Sequence, residues 1–223
     1  MDLFEAYPGL VEVQSAALKG RSLRLISLGG FVYDERHVYF ELSKTRHWGR
    51  LPDGGVAVGV GTPKVQPDGT YPPHQAIIRH IRKRWRCQVD LLPVGYSYLL
   101  DQSGRIEVLS DVESHIPFLF ILTDPRLGGA EVPDALVQAV YLLPVSRFRA
   151  DLVYADILRV SREALGRFLG PESWNLAEVA DEPWATLLPT QPFPEDARIR
   201  PVLALRGLRR MIEAEALPGD FEF

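Results

Sequence analysis

The chain has 223 residues, 46% of them hydrophobic and 24% charged, with a formal net charge of −4. That is enough apolar matter for one cored domain with an extension, and the acidic balance excludes broad, nonspecific binding to nucleic acid. No run approaches the roughly 18 apolar residues of a membrane span, and Cys87 alone forms no internal disulfide. The start, Met1-Asp2-Leu3-Phe4-Glu5, lacks the basic character of a signal peptide, so a cytoplasmic protein is expected.

In chain order, residues 1–21 read as a lead-in with little chemistry. Residues 23–33 and 37–42 are rich in β-branched and aromatic side chains and flank Asp34-Glu35-Arg36, which predicts a hairpin. A polar loop at 45–55 holds His47 and Trp48, and residues 56–60 form a strand. Glycine-rich turn chemistry follows at Gly59-Val60-Gly61-Thr62-Pro63 and again at Pro67-Asp68-Gly69. Residues 72–86 are helical. Strands are expected at 89–100, 105–109, 116–123 and 137–144, with Asp101-Gln102-Ser103-Gly104 as a tight turn. Beyond that the character changes. A short helix at 161–169 takes Ser161 as its cap, with Glu163 in its first turn. Four prolines in 183–194 suit an irregular connector, and 199–216 reads as an arginine-rich amphipathic helix.

The helix at 72–86 is the most informative stretch. Ile77, Ile81 and Trp85 recur at i, i+4, i+8 with Ile78 beside them, one apolar stripe. Pro72 and Pro73 suit its entrance, where a missing N–H costs nothing. His80, Lys83 and Arg84 stand at i, i+3, i+4 and share a second face, with Arg79, Arg82 and Arg86 adding positive charge nearby.

A strand, a glycine-rich turn and then this helix resemble the Nudix family of pyrophosphohydrolases. The family's helix reads Arg-Glu-apolar-x-Glu-Glu, and its glutamates hold the magnesium ions that do the work. Aligned through Ala76-Ile77-Ile78-Arg79, those glutamate positions fall on His80, Lys83 and Arg84. A register counted from Gly69 places them on Gln75, Arg84, Cys87 and Gln88, again without an acid. The turn departs from the family's frequent Gly-x-Gly-Gly, and an insertion around Gln66-Pro67-Asp68 is needed. The resemblance covers about residues 22–148. It implies an α+β fold, a Nudix-like mixed-sheet sandwich flanked by helices; the residues beyond it, 149–223, read as a helical C-terminal extension packed on the same domain. Protonated lysine and arginine have no lone pair for a metal, so the resemblance comes with loss of the usual metal site and no expected cofactor.

Each candidate residue carries two readings. Arg79, His80, Lys83 and Arg84 form either a phosphate-binding face, arginine being suited to bidentate phosphate contacts, or a solvated helix surface. Trp48 and Tyr71 either stack on a base or anchor their loops. Glu107, Asp111 and Glu113 are either solvated turn charges or an alternative metal site. The five histidines show no metal-ligand spacing, and no nucleophile motif surrounds Cys87. Three functions compete. The first is a non-catalytic Nudix-like module binding a nucleotide or another phosphorylated ligand, as a sensor or accessory subunit. The second is an active hydrolase of nucleoside-diphosphate-linked substrates with a non-standard metal site. The third is an RNA- or protein-interaction module. A homodimer is compatible with all three.

Overall fold

A computed structural model describes residues 1–109, 115–123, 135–148, 155–170 and 173–215 of the chain. The expected hairpin is present: β1 (Leu23–Tyr33) and β2 (His37–Leu42) pair antiparallel with Val32 opposite Tyr39. Its turn is held by the Asp34 carboxylate, which accepts from the Arg36 N–H at 2.8 Å, the His37 N–H at 2.7 Å and the Tyr39 hydroxyl. Short aspartate side chains favour such turns by bonding the backbone just ahead of them. Next come β3 (Gly49–Arg50), β4 (Val56–Gly61) and β5 (Lys64–Val65). A short α1 (Leu3–Ala6) precedes the hairpin, and α2 (Pro73–Trp85) follows β5. The next strands are β6 (Gln88–Val89), β7 (Ser97–Leu100), β8 (Ile106–Leu109), β9 (Leu119–Thr123) and β10 (Ala135–Arg147). The last part holds β11 (Ile157–Ser161), α3 (Leu165–Leu169), β12 (Trp174–Asn175), α4 (Leu176–Asp181), β13 (Ala185–Leu188), β14 (Ala197–Pro201) and α5 (Leu203–Glu213). The fold is mixed α+β, with a large mixed sheet and, among the described residues, five α-helices.

The chain divides into two compact units, each drawn from separated segments. The first takes Met1–Gly30, Lys64–Ile81 and Asp90–Pro144. Within it β9 pairs antiparallel with β10 and parallel with β7, which in turn pairs with β8. The opening segment is not a lead-in here. Leu3, Tyr7, Leu10 and Leu18 are buried, and Tyr7 packs edge-on against Phe120 at 5.2 Å. Ile77 and Ile81 are fully buried, as their spacing predicts. They come so close to β1 that a Cβ on Gly30 would lie 2.7 Å from Ile81 Cδ1 and 2.5 Å from Leu143 Cδ1.

The second unit takes Phe31–Pro63, Arg82–Val89 and Val145–Phe223. Residues 148 and 149 both lie in its last segment, and residues 21 and 22 both lie in the first unit. Here β2 is flanked by β11 along Glu41–His37 and by β4 at Glu41 and Leu42, and β14 runs parallel to β4. Phe40 of β2 stacks on Phe168 of α3 at 5.5 Å, and Trp85 is fully buried.

Several local expectations give way to the structure. Residues 89–100 are not one strand, because Pro93 and Gly95 separate β6 from β7. Ser161 ends a strand and makes no side-chain cap; a 3₁₀ turn at Arg162–Ala164 leads into α3. The proline-rich connector contains β13, paired along β11. The long helix predicted over 199–216 is a strand and then a helix, since Pro201 cannot sit inside a continuous helical ladder. In β14, Ala197, Ile199 and Pro201 are buried while Arg198 and Arg200 are exposed, the period of a strand. Residue 216 lies outside the described residues.

Candidate functional site

In the second unit, four stretches of chain line one cavity of about 330 Å³, and Glu41 lies behind one of them, paired with Arg84. Glu41 sits near the end of β2, opposite Ile157 on one side and Gly61 on the other, so the strand carries this carboxylate inward. Just past β2 the chain turns through Lys44, Thr45 and Arg46, which line the cavity. This turn is fixed by Ser43: its N–H donates to the Gly59 carbonyl at 2.8 Å and its Oγ accepts from the Gly59 N–H at 2.9 Å. Opposite lie Ala155 and Asp156, which lead into β11, and Thr190 and Gln191, which follow β13. The last turn of α2 contributes Arg84.

Two carboxylates organise the wall. Asp156 is buried, and accepts from the Thr190 N–H at 2.5 Å, the Thr190 hydroxyl at 2.8 Å and Gln191 Nε2 at 2.6 Å. Gln191 Oε1 in turn accepts from the Thr45 hydroxyl at 2.7 Å. Its oxygens thus engaged, Asp156 holds polar groups in place and does not stand as a bare charge. Glu41 Oε1 meets Arg84 Nη2 at 2.6 Å, with side-chain exposures of 15% and 23%. Burial pushes the Glu41 carboxyl above its ordinary range, and the opposing pull of Arg84, Trp85 and Lys44 does not fully offset it. The lining residues Lys44, Arg46 and Arg84 are cationic, and an arginine engaged through one nitrogen keeps further N–H donors. Chemically, the arrangement can hold a compact anion.

The residues singled out from sequence do not all meet. Arg84 lines the cavity; Lys83, one position earlier on α2, is exposed and outside its lining. His80 is half-buried on the same helix. Arg79 lies over the Tyr71 ring, 4.3 Å from its centroid, a cation–π pair within the first unit. Trp48 is anchored, its indole N–H donating to the Ser43 carbonyl at 2.7 Å and its ring stacked on Phe193 at 5.4 Å. Glu107 accepts from the Ser15 hydroxyl at 3.0 Å, while Asp111 and Glu113 lie outside the described residues. Among the described residues, no group of three or more His, Cys, Asp or Glu is placed to hold a metal ion. Sequence reasoning missed Lys44, Thr45 and Arg46. Their signal was two cations and a hydroxyl in a row directly after a strand.

The glycine-rich turn also differs from its expected form. Gly59 and Gly61 lie inside β4, and a Cβ on Gly61 would stand 2.5 Å from Val202 Cγ2. These glycines make room for the residue ahead of α5.

No protein-family model matches the chain, and no curated protein matches it. Among solved structures, the solution structure of the E. coli ORF135 protein is similar with a TM-score of 0.30 and 11% identity, covering 65% of this chain and 79% of that one. A likeness that faint carries no argument about activity.

Proposed function

We propose that this chain is a binding module for a phosphorylated small molecule, nucleotides included, acting as a sensor or accessory subunit without magnesium-dependent pyrophosphohydrolase activity. The observation that carries the reading is the cavity of about 330 Å³ flanked by Lys44, Arg46 and Arg84, with Thr45, Thr190 and Gln191 as neutral polar groups. Arginine matches phosphate oxygens with paired N–H donors, and lysine adds a mobile point charge. A Nudix-like origin is part of the proposal, supported by the buried stripe of Ile77, Ile81 and Trp85 on the helix that bears the altered face. On that face His80, Lys83 and Arg84 fall at the family's glutamate positions, which leaves no carboxylate oxygens there to gather a hard metal.

Equilibrium titration of ADP and ADP-ribose, run beside a turnover assay with added Mg²⁺ or Mn²⁺, tests both halves. The expected result is saturable binding that weakens with salt, since exposed charges are screened over about 8 Å at physiological ionic strength. Turnover should stay at background. Metal-dependent hydrolysis lost in Glu107→Gln would overturn the non-catalytic reading in favour of an alternative metal site. Binding of short RNA that ADP does not displace would favour the interaction module.

A further inference from the structure

A second cavity, of about 310 Å³, lies in the first unit and shares no residue with the cation-lined one. Its walls include Tyr7, Tyr141, His74, His115, Pro73 and Ile116. The two imidazoles meet edge to face with centroids 4.7 Å apart, and His115 holds a left-handed backbone, φ 76°. The two phenols are buried, at 5% and 0% exposure, and their oxygens are 2.6 Å apart. Burial raises both phenols well above the ordinary tyrosine value, so each keeps its proton. Two O–H groups then face one O···O contact. One proton serves that contact, which leaves the other to seek a further acceptor, and both tyrosines line the cavity. A buried hydroxyl proton demands an acceptor.

The rest of the lining is chemically matched. Burial, helped by the neighbouring His115, lowers the His74 pKa, so His74 is neutral near neutral pH and offers one ring N–H. Pro73 and Ile116 add apolar surface. We infer that this cavity binds a small organic carboxylate, its oxygens taking the spare phenol proton and an imidazole N–H, its apolar body lying on Pro73 and Ile116. The hydroxyl and imidazole donors select oxygen acceptors, and the apolar walls select against inorganic anions, which have no hydrocarbon to bury. The site owes nothing to the phosphate reading and stands or falls separately.

Benzoate is the probe, followed by the ring-proton NMR signals of His74 and His115, which His74→Gln and His115→Gln assign. Saturable shifts of both signals are expected with benzoate, and much smaller ones with inorganic phosphate. Tyr7→Phe or Tyr141→Phe alone leaves one hydroxyl and one spare proton, so binding persists. The double Tyr7→Phe/Tyr141→Phe chain removes every phenol proton and should bind benzoate about tenfold more weakly or worse, a charge-assisted hydrogen bond having been lost. Because both partners are replaced by apolar groups of the same shape, the fold should survive, which a thermal melt verifies. Absent ring shifts, equal shifts with phosphate, or undiminished binding in the double variant would each overturn the assignment.

Discussion

Replacing Arg84 by alanine leaves the Glu41 carboxylate, only 15% exposed, without its cation. The expected cost is about 3 kcal/mol, the low end for a buried pair because both partners keep some contact with water. Lys44→Ala, at an exposed position, should change stability by less than about 0.5 kcal/mol. Urea melts distinguish the two. The same pair sets a pH dependence. Burial holds the Glu41 pKa above its unfolded value, so the folded chain takes up this proton at higher pH than the unfolded chain does. Glu41 therefore favours folding more strongly as pH falls through the window just above the ordinary glutamate value, and that contribution is lost as pH rises. Glu41→Gln has no such proton. The stability difference, wild type minus variant, should decline with rising pH across that window; a difference that grows with pH would contradict the assignment. Sequence alone showed Arg84 as one of several basic residues on a helix face. It could not show Glu41, 43 positions away, because only the pairing of β2 with β4 and β11 brings that carboxylate inward.

At the scale of elements, α2 was legible because a helix buried along one stripe must repeat its apolar residues at the helical period. Ile81→Ala should destabilise by about 2–5 kcal/mol, as large-to-small core changes do. Gly30→Ala should cost about 1–3 kcal/mol, since its Cβ would meet Leu143 and Ile81 side chains at 2.5 and 2.7 Å. Thermal melts that leave either variant at the wild-type midpoint would show that the helix does not pack as described. The strand β14 was missed for a different reason. Its alternation of Ala197, Ile199 and Pro201 with Arg198 and Arg200 spans only five residues and runs into an amphipathic helix, whose longer pattern absorbed it. Likewise Gly59 and Gly61 look like turn residues, and only the Val202 side chain across from them shows that they are spacers.

For the whole molecule, the mixed α+β class followed from the sequence order of strands, one helix and more strands. The division into two units did not, because each is assembled from segments far apart in sequence. Within the second unit, β2 takes β11 as a neighbour and β4 takes β14, so residues beyond 148 are integral to it. A chain cut after Phe148 should lose the cooperative unfolding of that unit and expose Phe40 and Val58, both buried in the full chain. Dye binding and far-UV circular dichroism would report it; an unchanged cooperative melt would mean that the last segment is an appendage.

The most direct test of the proposed phosphate site is calorimetric titration of ADP into the wild type, Lys44→Ala/Arg46→Ala and Lys83→Ala. Lys44 and Arg46 line the cavity and Lys83 does not, although α2 carries it next to Arg84. The cavity reading predicts affinity at least about tenfold weaker in the double variant, two charge-assisted contacts being lost, and an unchanged affinity in Lys83→Ala. Weakening confined to Lys83→Ala would place the ligand on the open helix face and contradict the cavity as its site.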